Sequence, residues 1–582
     1  MARRLWLLFL AAALLAAPAL AQHQHMSHGA PSSGLPRLEN LGGVHHAVTT
    51  QSPEAQRFFD QGLFLLYGFN HAEAIRAFEE AARLDPDCAM AWWGASSAYG
   101  PNINWPMDST QETQALAALE KARAASSKAS PAERDYIEAL TRRYGRPAGA
   151  NRGARDSAYA AAMKALKDRY PDDLDAATLC AESMLDLSPW NQWTLDGQPL
   201  PGTLEIVSLL ESVLKRNPNH VGAIHYYIHT CEAGPDHGAR TIPYVERLSR
   251  MKLDAGHLVH MPSHIFQRVG RYGESESDNV EASTEDSLYV ARWKPEGLYP
   301  MMYYPHNVHF VWAAASMAGR SRQALHYARR LSGLVPWDMV RQIPPMEFWS
   351  PTPYYAMIRF GRWDEILKES APPADVRFST GMWHFARGMA FAARRQFEQA
   401  GTERDSVSVI AAGIPLEALV SFNSAKGLLT IASNQLGGET AARQGKIEEA
   451  VRLLQQAIAV EDTLHYDEPP AWFFPVRQSL GAVLLEAGRP AVAEAAYRED
   501  LKRNPENGWS LYGLAQCARA RKATKEAADA EKRFRKAWAR ADVKLTSSRF
   551  WSTRPLAPVS GPPVLPGRRP RRPGPGTAIR DW

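Results

Sequence analysis

The sequence predicts an all-α chain built as a solenoid of stacked helical hairpins. Three observations carry that expectation. Apolar residues recur at three- and four-residue spacing, alanine is abundant and β-branched runs are rare. Helix-breaking steps punctuate those runs: Gly270-Arg271, Gly319-Arg320, Gly361-Arg362, Gly445-Lys446 and Gly488-Arg489, with Pro218, Pro336 and Pro505 closing helices. Motifs also return at a fixed interval, for His225 to His260 and His229 to His264 are both steps of 35 residues. With 582 residues and 45% hydrophobic content the chain has enough apolar mass for a long core.

The amino terminus reads as a secretory signal over residues 1–21. Arg3 and Arg4 supply the charge, Leu5 to Leu15 the apolar run, and Ala19-Leu20-Ala21 a small-x-small cleavage site. The run is too short for a stable membrane span, so an exported, periplasmic or secreted protein is expected rather than an integral membrane one. Residues 22–42 are polar and Gly/Pro/Ser-rich, a flexible leader in which His23, His25, Met26 and His28 could weakly hold a soft metal.

Residues 55–88 carry Phe58, Gly62, Ala74, Phe78, Ala81 and Pro86 at set intervals. Small residues stand where two helices cross, an aromatic fills the gap between hairpins, and a proline ends the second helix. The segment 474–507 repeats the pattern through Leu480, Gly481, Leu484, Ala493, Tyr497 and Pro505. Both resemble the tetratricopeptide repeat, whose period is 34. The resemblance is specific near both ends and degenerate in the middle. It implies about eight to ten hairpins over residues 43–542, wound as a right-handed superhelix.

Residues 543–582 form an extension, Pro/Arg-rich and expected to be disordered from about 554. Six arginines after Arg549, against Asp581, account for the formal net charge of +5, leaving the body neutral. A neutral body argues against nucleic acid as a partner. The cysteines Cys88, Cys180, Cys231 and Cys517 show no disulfide framework and read as buried small residues.

Chemistry concentrates at 220–317, in the strings AIHYYIHTCEAG, GHLVHMPSHIF and YYPHNVHFVW. His225/His229 and His260/His264 are four apart, and His257/His260 and His306/His309 three apart, so each pair shares a helix face. Pro262 either breaks that helix at a shaped point or begins it, which would leave His257 and His260 in a loop. A lone histidine is most simply a packed core residue, and His220, His237, His326, His384 and His465 are read so. In the repeat family the second, fifth, ninth and twelfth positions of each first helix face the groove. That resemblance places His225, His229, Glu232, His257, His260, His264, His306 and His309 on one wall.

Such a set suits a transition metal, with Glu232 an oxygen ligand or general base, and Tyr226, Tyr227, Tyr303 and Tyr304 on the rim. Met261, Met301 and Met302 tilt the choice to copper, with zinc or iron as alternatives. Two aromatic loops, 188–202 and 294–304, are placed to cover the groove. Other readings remain: a scaffold binding a protein or peptide without metal, or a metal-dependent oxidoreductase or hydrolase. Neutral imidazoles stand where a peptide groove would show Lys, Arg and Asn clamps. No phosphate loop, GxSxG elbow or HExxH motif is present.

Overall fold

The computed structural model describes residues 35–295 and 297–550, so the signal segment, the histidines of the leader and the tail from 551 lie outside the described residues. The described chain is helical almost throughout, an α-solenoid of antiparallel pairs. Its first half comprises α1 (Pro53–Tyr67), α2 (His71–Leu84), α3 (Ala89–Ala98), α4 (Ser109–Ala125), α5 (Pro131–Leu140), α6 (Arg152–Arg169), α7 (Leu174–Leu185), α8 (Thr203–Arg216), α9 (Val221–Cys231), α10 (Ile242–Met251), α11 (Gly256–His260), α12 (Pro262–Arg268) and α13 (Tyr272–Trp293). Its second half comprises α14 (Tyr304–Met317), α15 (Ser321–Leu334), α16 (Trp337–Gln342), α17 (Thr352–Arg359), α18 (Trp363–Ile366), α19 (Arg377–Ala393), α20 (Phe397–Gly413), α21 (Ala425–Arg443), α22 (Ile447–Glu461), α23 (Val476–Glu486), α24 (Pro490–Arg503), α25 (Gly508–Ala520) and α26 (Thr524–Ala537). A two-residue hairpin, β1 (Leu419–Val420) and β2 (Asn423–Ser424), interrupts them with Val420 opposite Asn423.

The repeat logic is visible in the packing. The Phe78 ring of α2 is clamped between Gly62 of α1 and Gly94 of α3: a Cβ at either glycine would come within 2.7 or 2.4 Å of that ring. The far end repeats the arrangement with Tyr497 between Gly481 and Gly513, at 2.5 and 2.2 Å. Only glycine lets the helix backbones close on a ring this tightly. The hinges follow the sequence too: Gly270 and Gly319 end the histidine-bearing first helices with φ of +80° and +70°, a left-handed helix stop. The chain is thus a tetratricopeptide-like solenoid. Degenerate pairs such as α5/α6 and α17/α18 add to the hairpins its motifs announce.

The buried apolar residues form two cores, one spanning Ala55 to Tyr303 and the other Tyr304 to Phe550. The solenoid also folds back on itself. Tyr272 Oη donates to Pro505 O at 3.1 Å, Trp509 Nε1 to Ser316 O at 3.1 Å, and a ring N–H of His237 to Lys502 O at 2.8 Å. This closure brings the loop after α22 over the centre of the molecule.

Both chain ends are fastened where they are described. Residues 35–42 belong to the stretch expected as a flexible leader, yet Leu38 N donates to Gln61 Oε1 at 2.9 Å and Asn40 N to Asp254 Oδ2 at 2.9 Å. In the extension, Arg549 Nη1 meets Glu439 Oε2 at 2.9 Å and Phe550 packs on Phe474 with centroids 3.9 Å apart. All four cysteines are free and buried. Among the described residues no helix is long and apolar enough to cross a membrane.

Candidate metal centre

Three first helices carry the histidines, and they meet at the junction of the two cores. On α9, His225 and His229 lie one turn apart and both are buried. On the next first helix, Pro262 does not push His257 and His260 into a loop. Met261 keeps helical backbone (φ −51°, ψ −39°), so α11 and α12 run nearly as one spiral and His257, His260 and His264 stay on a shared side. Gly256 opens that spiral because its neighbour leaves no room: a Cβ there would sit 2.0 Å from Asp286 Oδ1. Asp286 in turn accepts from Tyr299 Oη at 2.9 Å and from Asn307 Nδ2 at 2.7 Å, and Tyr299 Oη accepts the His257 amide at 3.0 Å.

The first grouping is His225, His229 and His257, which bring one ring nitrogen each within 4.8 Å of one another. Hydrogen bonds settle two of the three tautomers. His225 Nδ1 contacts Tyr67 O at 2.5 Å, and a carbonyl only accepts, so Nδ1 carries the proton and Nε2 keeps its lone pair. His229 Nδ1 donates to Glu232 Oε1 at 3.0 Å, freeing its Nε2 in the same way. Neither Nε2 has a hydrogen-bond partner, and neither nitrogen of His257 has one. A buried polar atom left so costs about 1–3 kcal/mol. Burial, with His229 adding for His225 and His225 for His257, holds these imidazoles below their ordinary value of 6.5. His229 is likewise lowered by burial, against the pull of Glu232.

The second grouping is His260, His264 and His306, with the His306 ring 4.8 Å from His260 and 5.7 Å from His264. The third joins His264 to Glu232 and Glu468. His264 Nδ1 stands 2.8 Å from Glu232 Oε2 and 2.6 Å from Glu468 Oε2, though neither contact has the alignment of a hydrogen bond. Burial opposes charge on His264, but Glu232 and Glu468 raise it to about 10. Burial likewise pushes Glu232 up, and His264 and then His229 overcome it, holding that carboxylate well below its usual range.

Two aromatic residues press on the centre from strained backbone. Phe69 (φ +56°) packs its ring on His225, His229 and His257 with centroids at 4.4, 5.8 and 5.8 Å. Trp190 (φ +56°) meets His229 edge-on at 5.3 Å. A left-handed bulky residue costs on the order of 1–3 kcal/mol and concentrates where geometry serves a site. Trp190 belongs to the 188–202 loop and Tyr303, 4.5 Å from His257, to the 294–304 stretch, so both loops cover the histidines. Beside them lies a partly open cleft. It is lined by His229, His257, His264, His306, Asp467 and Glu468 and by a majority of apolar residues such as Trp105, Leu298, Met302, Phe348 and Phe422, with no lysine or arginine.

The structure therefore brings together His225, His229, Glu232, His257, His260, His264 and His306. It leaves His309 apart, stacked on Trp312 at 5.0 Å and edge-on to Phe348 at 5.3 Å. Of the expected rim, Tyr303 touches His257 and Tyr226 stacks on His225 at 5.5 Å. Tyr227 instead donates to Glu211, and Tyr304 accepts from Arg330 at 2.6 Å. Glu468 is the residue the sequence did not offer. Its only signal is the loop YDEPPAWFFP between α22 and α23, longer than a repeat turn and set with an acidic pair beside aromatics.

No protein-family model and no curated protein sequence matches the chain. Solved structures similar to it are helical-repeat proteins at low identity. The human IFIT1 dimer with m7Gppp-AAAA is 13% identical over 84% of this chain and 92% of that one, with a TM-score of 0.31. Yeast Tom70 is 10% identical over 82% and 90%, TM-score 0.25. The P58(IPK) TPR domain is 13% identical over 81% and 99%, TM-score 0.22. From its own glycine–ring–glycine packing the chain is a tetratricopeptide-like repeat protein, with imidazoles and carboxylates gathered where its two cores meet.

Proposed function

We propose that the protein binds a transition-metal ion, copper or zinc, through His225 Nε2, His229 Nε2 and a ring nitrogen of His257. The supporting observation is the tautomer pattern. Tyr67 O and Glu232 Oε1 each accept a hydrogen bond from an Nδ1, which leaves two buried Nε2 lone pairs free in a group with a third imidazole that has no partner of its own. A carboxylate or carbonyl behind each ligand histidine is how such ligands are oriented. One ring nitrogen of each histidine stands within 4.8 Å of the others, against about 3.3 Å in a tetrahedral shell, so ring rotation would be needed to close the set. Three neutral nitrogens and no thiolate suit zinc or copper. Three protein ligands leave a position for an exchangeable one, and the apolar cleft over His229 and His257 favours a neutral, weakly polar occupant. The signal-like sequence Arg3 to Ala21 supports an exported location for this chemistry.

The test is titration of the full chain, stripped with chelator, with copper and zinc separately. X-ray absorption of the loaded protein should read a nitrogen shell with three imidazoles. His225→Ala with His257→Ala should abolish tight uptake while helicity persists. Uptake equal to that of the unaltered protein would end the proposal.

A further inference from the structure

We propose that Glu232, His264 and Glu468 form a second divalent-cation site, built for an oxygen-preferring ion of the manganese(II) or iron(II) kind. It goes beyond the three-imidazole centre in both ligands and metal preference. Glu232 is common to the two but reaches them with different oxygens, Oε1 to His229 and Oε2 to His264.

A chain of hydrogen bonds prepares His264 for this role. Asn279 Nδ2 donates to Ser275 O at 2.7 Å and to Ser263 Oγ at 2.6 Å, which turns Oδ1 of the same amide toward His260. His260 Nδ1 contacts that oxygen at 2.6 Å and must be the donor. The Nε2 of a neutral His260 is then an acceptor, and His264 Nε2, 2.8 Å away, donates to it. The remaining nitrogen, Nδ1 of His264, is turned between the two carboxylates. Glu232 Oε2, Glu468 Oε2 and His264 Nδ1 lack aligned hydrogen bonds, and their residues are 0, 8 and 2% exposed.

Glu468 is itself held. Tyr466 Oη donates to its Oε1, and Arg268 Nε lies 3.9 Å from that oxygen while donating to Glu232 O at 3.1 Å. Oε2 is left facing His264. A divalent cation would take the place of the proton that His264 Nδ1 holds between the two carboxylates, and would cancel the two negative charges left beside the then neutral imidazole. Two carboxylate oxygens and one imidazole nitrogen, with cleft water completing the shell, match manganese(II) or iron(II) better than copper. An ion can enter, because His264 and Glu468 both line the open cleft.

The experiment titrates the full-length, chelator-stripped chain with Mn²⁺ alone, following the loss of the free-ion electron paramagnetic resonance signal. One Mn²⁺ should bind, with coupling to a single imidazole nitrogen. His225→Ala, which removes a ligand of the other centre only, should leave its Kd within about twofold. Glu468→Gln should weaken it at least tenfold while zinc uptake by the imidazole centre persists. No Mn²⁺ uptake by the unaltered chain, or equal affinity in Glu468→Gln, would overturn the proposal. Should Glu468→Gln lose helicity, Glu468→Asp decides: weakened Mn²⁺ binding supports the site and unchanged binding refutes it. Loss of zinc uptake with Mn²⁺ retained, or the reverse, tells failure of one centre from failure of the other.

Discussion

Glu232 Oε1 accepts a hydrogen bond from His229 Nδ1 at 3.0 Å, and this contact leaves Nε2 of His229 as the nitrogen with a free lone pair. The first prediction follows from removing its charge. Glu232→Gln keeps the shape but gives a weaker acceptor that can also present a donor. Zinc affinity at the imidazole centre should fall about 10–100-fold, the usual effect of losing such a partner. Competition with a chromophoric chelator measures it, and an unchanged Kd would mean that another group sets the tautomer.

A second prediction concerns stability. Four buried ring nitrogens without partners burden the metal-free fold at His225, His229 and His257. An ion that binds only the folded chain should therefore stabilise it, by about 2.7 kcal/mol at a hundredfold excess over Kd. Thermal scans with and without zinc should show the rise in the unaltered chain and none in His257→Ala.

The third prediction is a pH profile. An imidazole at the ordinary value of 6.5 would be about nine-tenths protonated at pH 5.5 and lost to a metal. Burial holds His225, His229 and His257 below that value, so protons compete only further into the acid range. Zinc affinity should thus begin to fall only at a pH below 6.5. A tenfold loss per unit beginning at 6.5 would contradict it.

Trp190 supplies a fourth. Its left-handed backbone suits glycine, so Trp190→Gly relieves strain while uncovering His229. Global stability should change by no more than about 1–2 kcal/mol, since the released strain offsets much of the lost ring packing. Metal should dissociate roughly tenfold faster, in keeping with loss of the shell around a site. Stopped-flow transfer to a chelator reads the rate, and an unaltered rate would remove Trp190 from the covering.

The fifth tests the repeat itself. Gly62→Ala would set a Cβ 2.7 Å from the Phe78 ring, and overpacking of that kind costs about 1–3 kcal/mol. Gly401→Ala, in α20 with nothing within 4 Å of the added methyl, should instead be neutral or stabilising by up to about 1 kcal/mol. Denaturant titrations of the two variants should move in opposite directions.

How far the sequence led depends on whether a contact is local. His225 and His229, or His260 and His264, announce their shared face because helical spacing dictates it. Glu232 is three residues from His229 and legible for the same reason. The 35-residue step relates neighbouring first helices, which is why those imidazoles meet. Glu468 obeys no such rule: it arrives only because contacts such as Tyr272 with Pro505 fold the solenoid back on itself. His309 shares a turn with His306, yet its ring lies against Trp312 and Phe348, because face position alone does not choose among aromatic neighbours. The left-handed backbone of Phe69 and Trp190 is equally invisible, since neither residue type favours it.

One apolar interior ends at Tyr303 and the other starts at Tyr304. Glu232 and His264 are on the near side of that seam, Glu468 on the far side. An ion shared by the three would add a clasp between halves already joined where α13 packs on α14. Severing the chain at the seam would part the ligands, so neither fragment could inherit the whole set. Acquisition or loss of the ion would then register as a change in how firmly the two halves hold together.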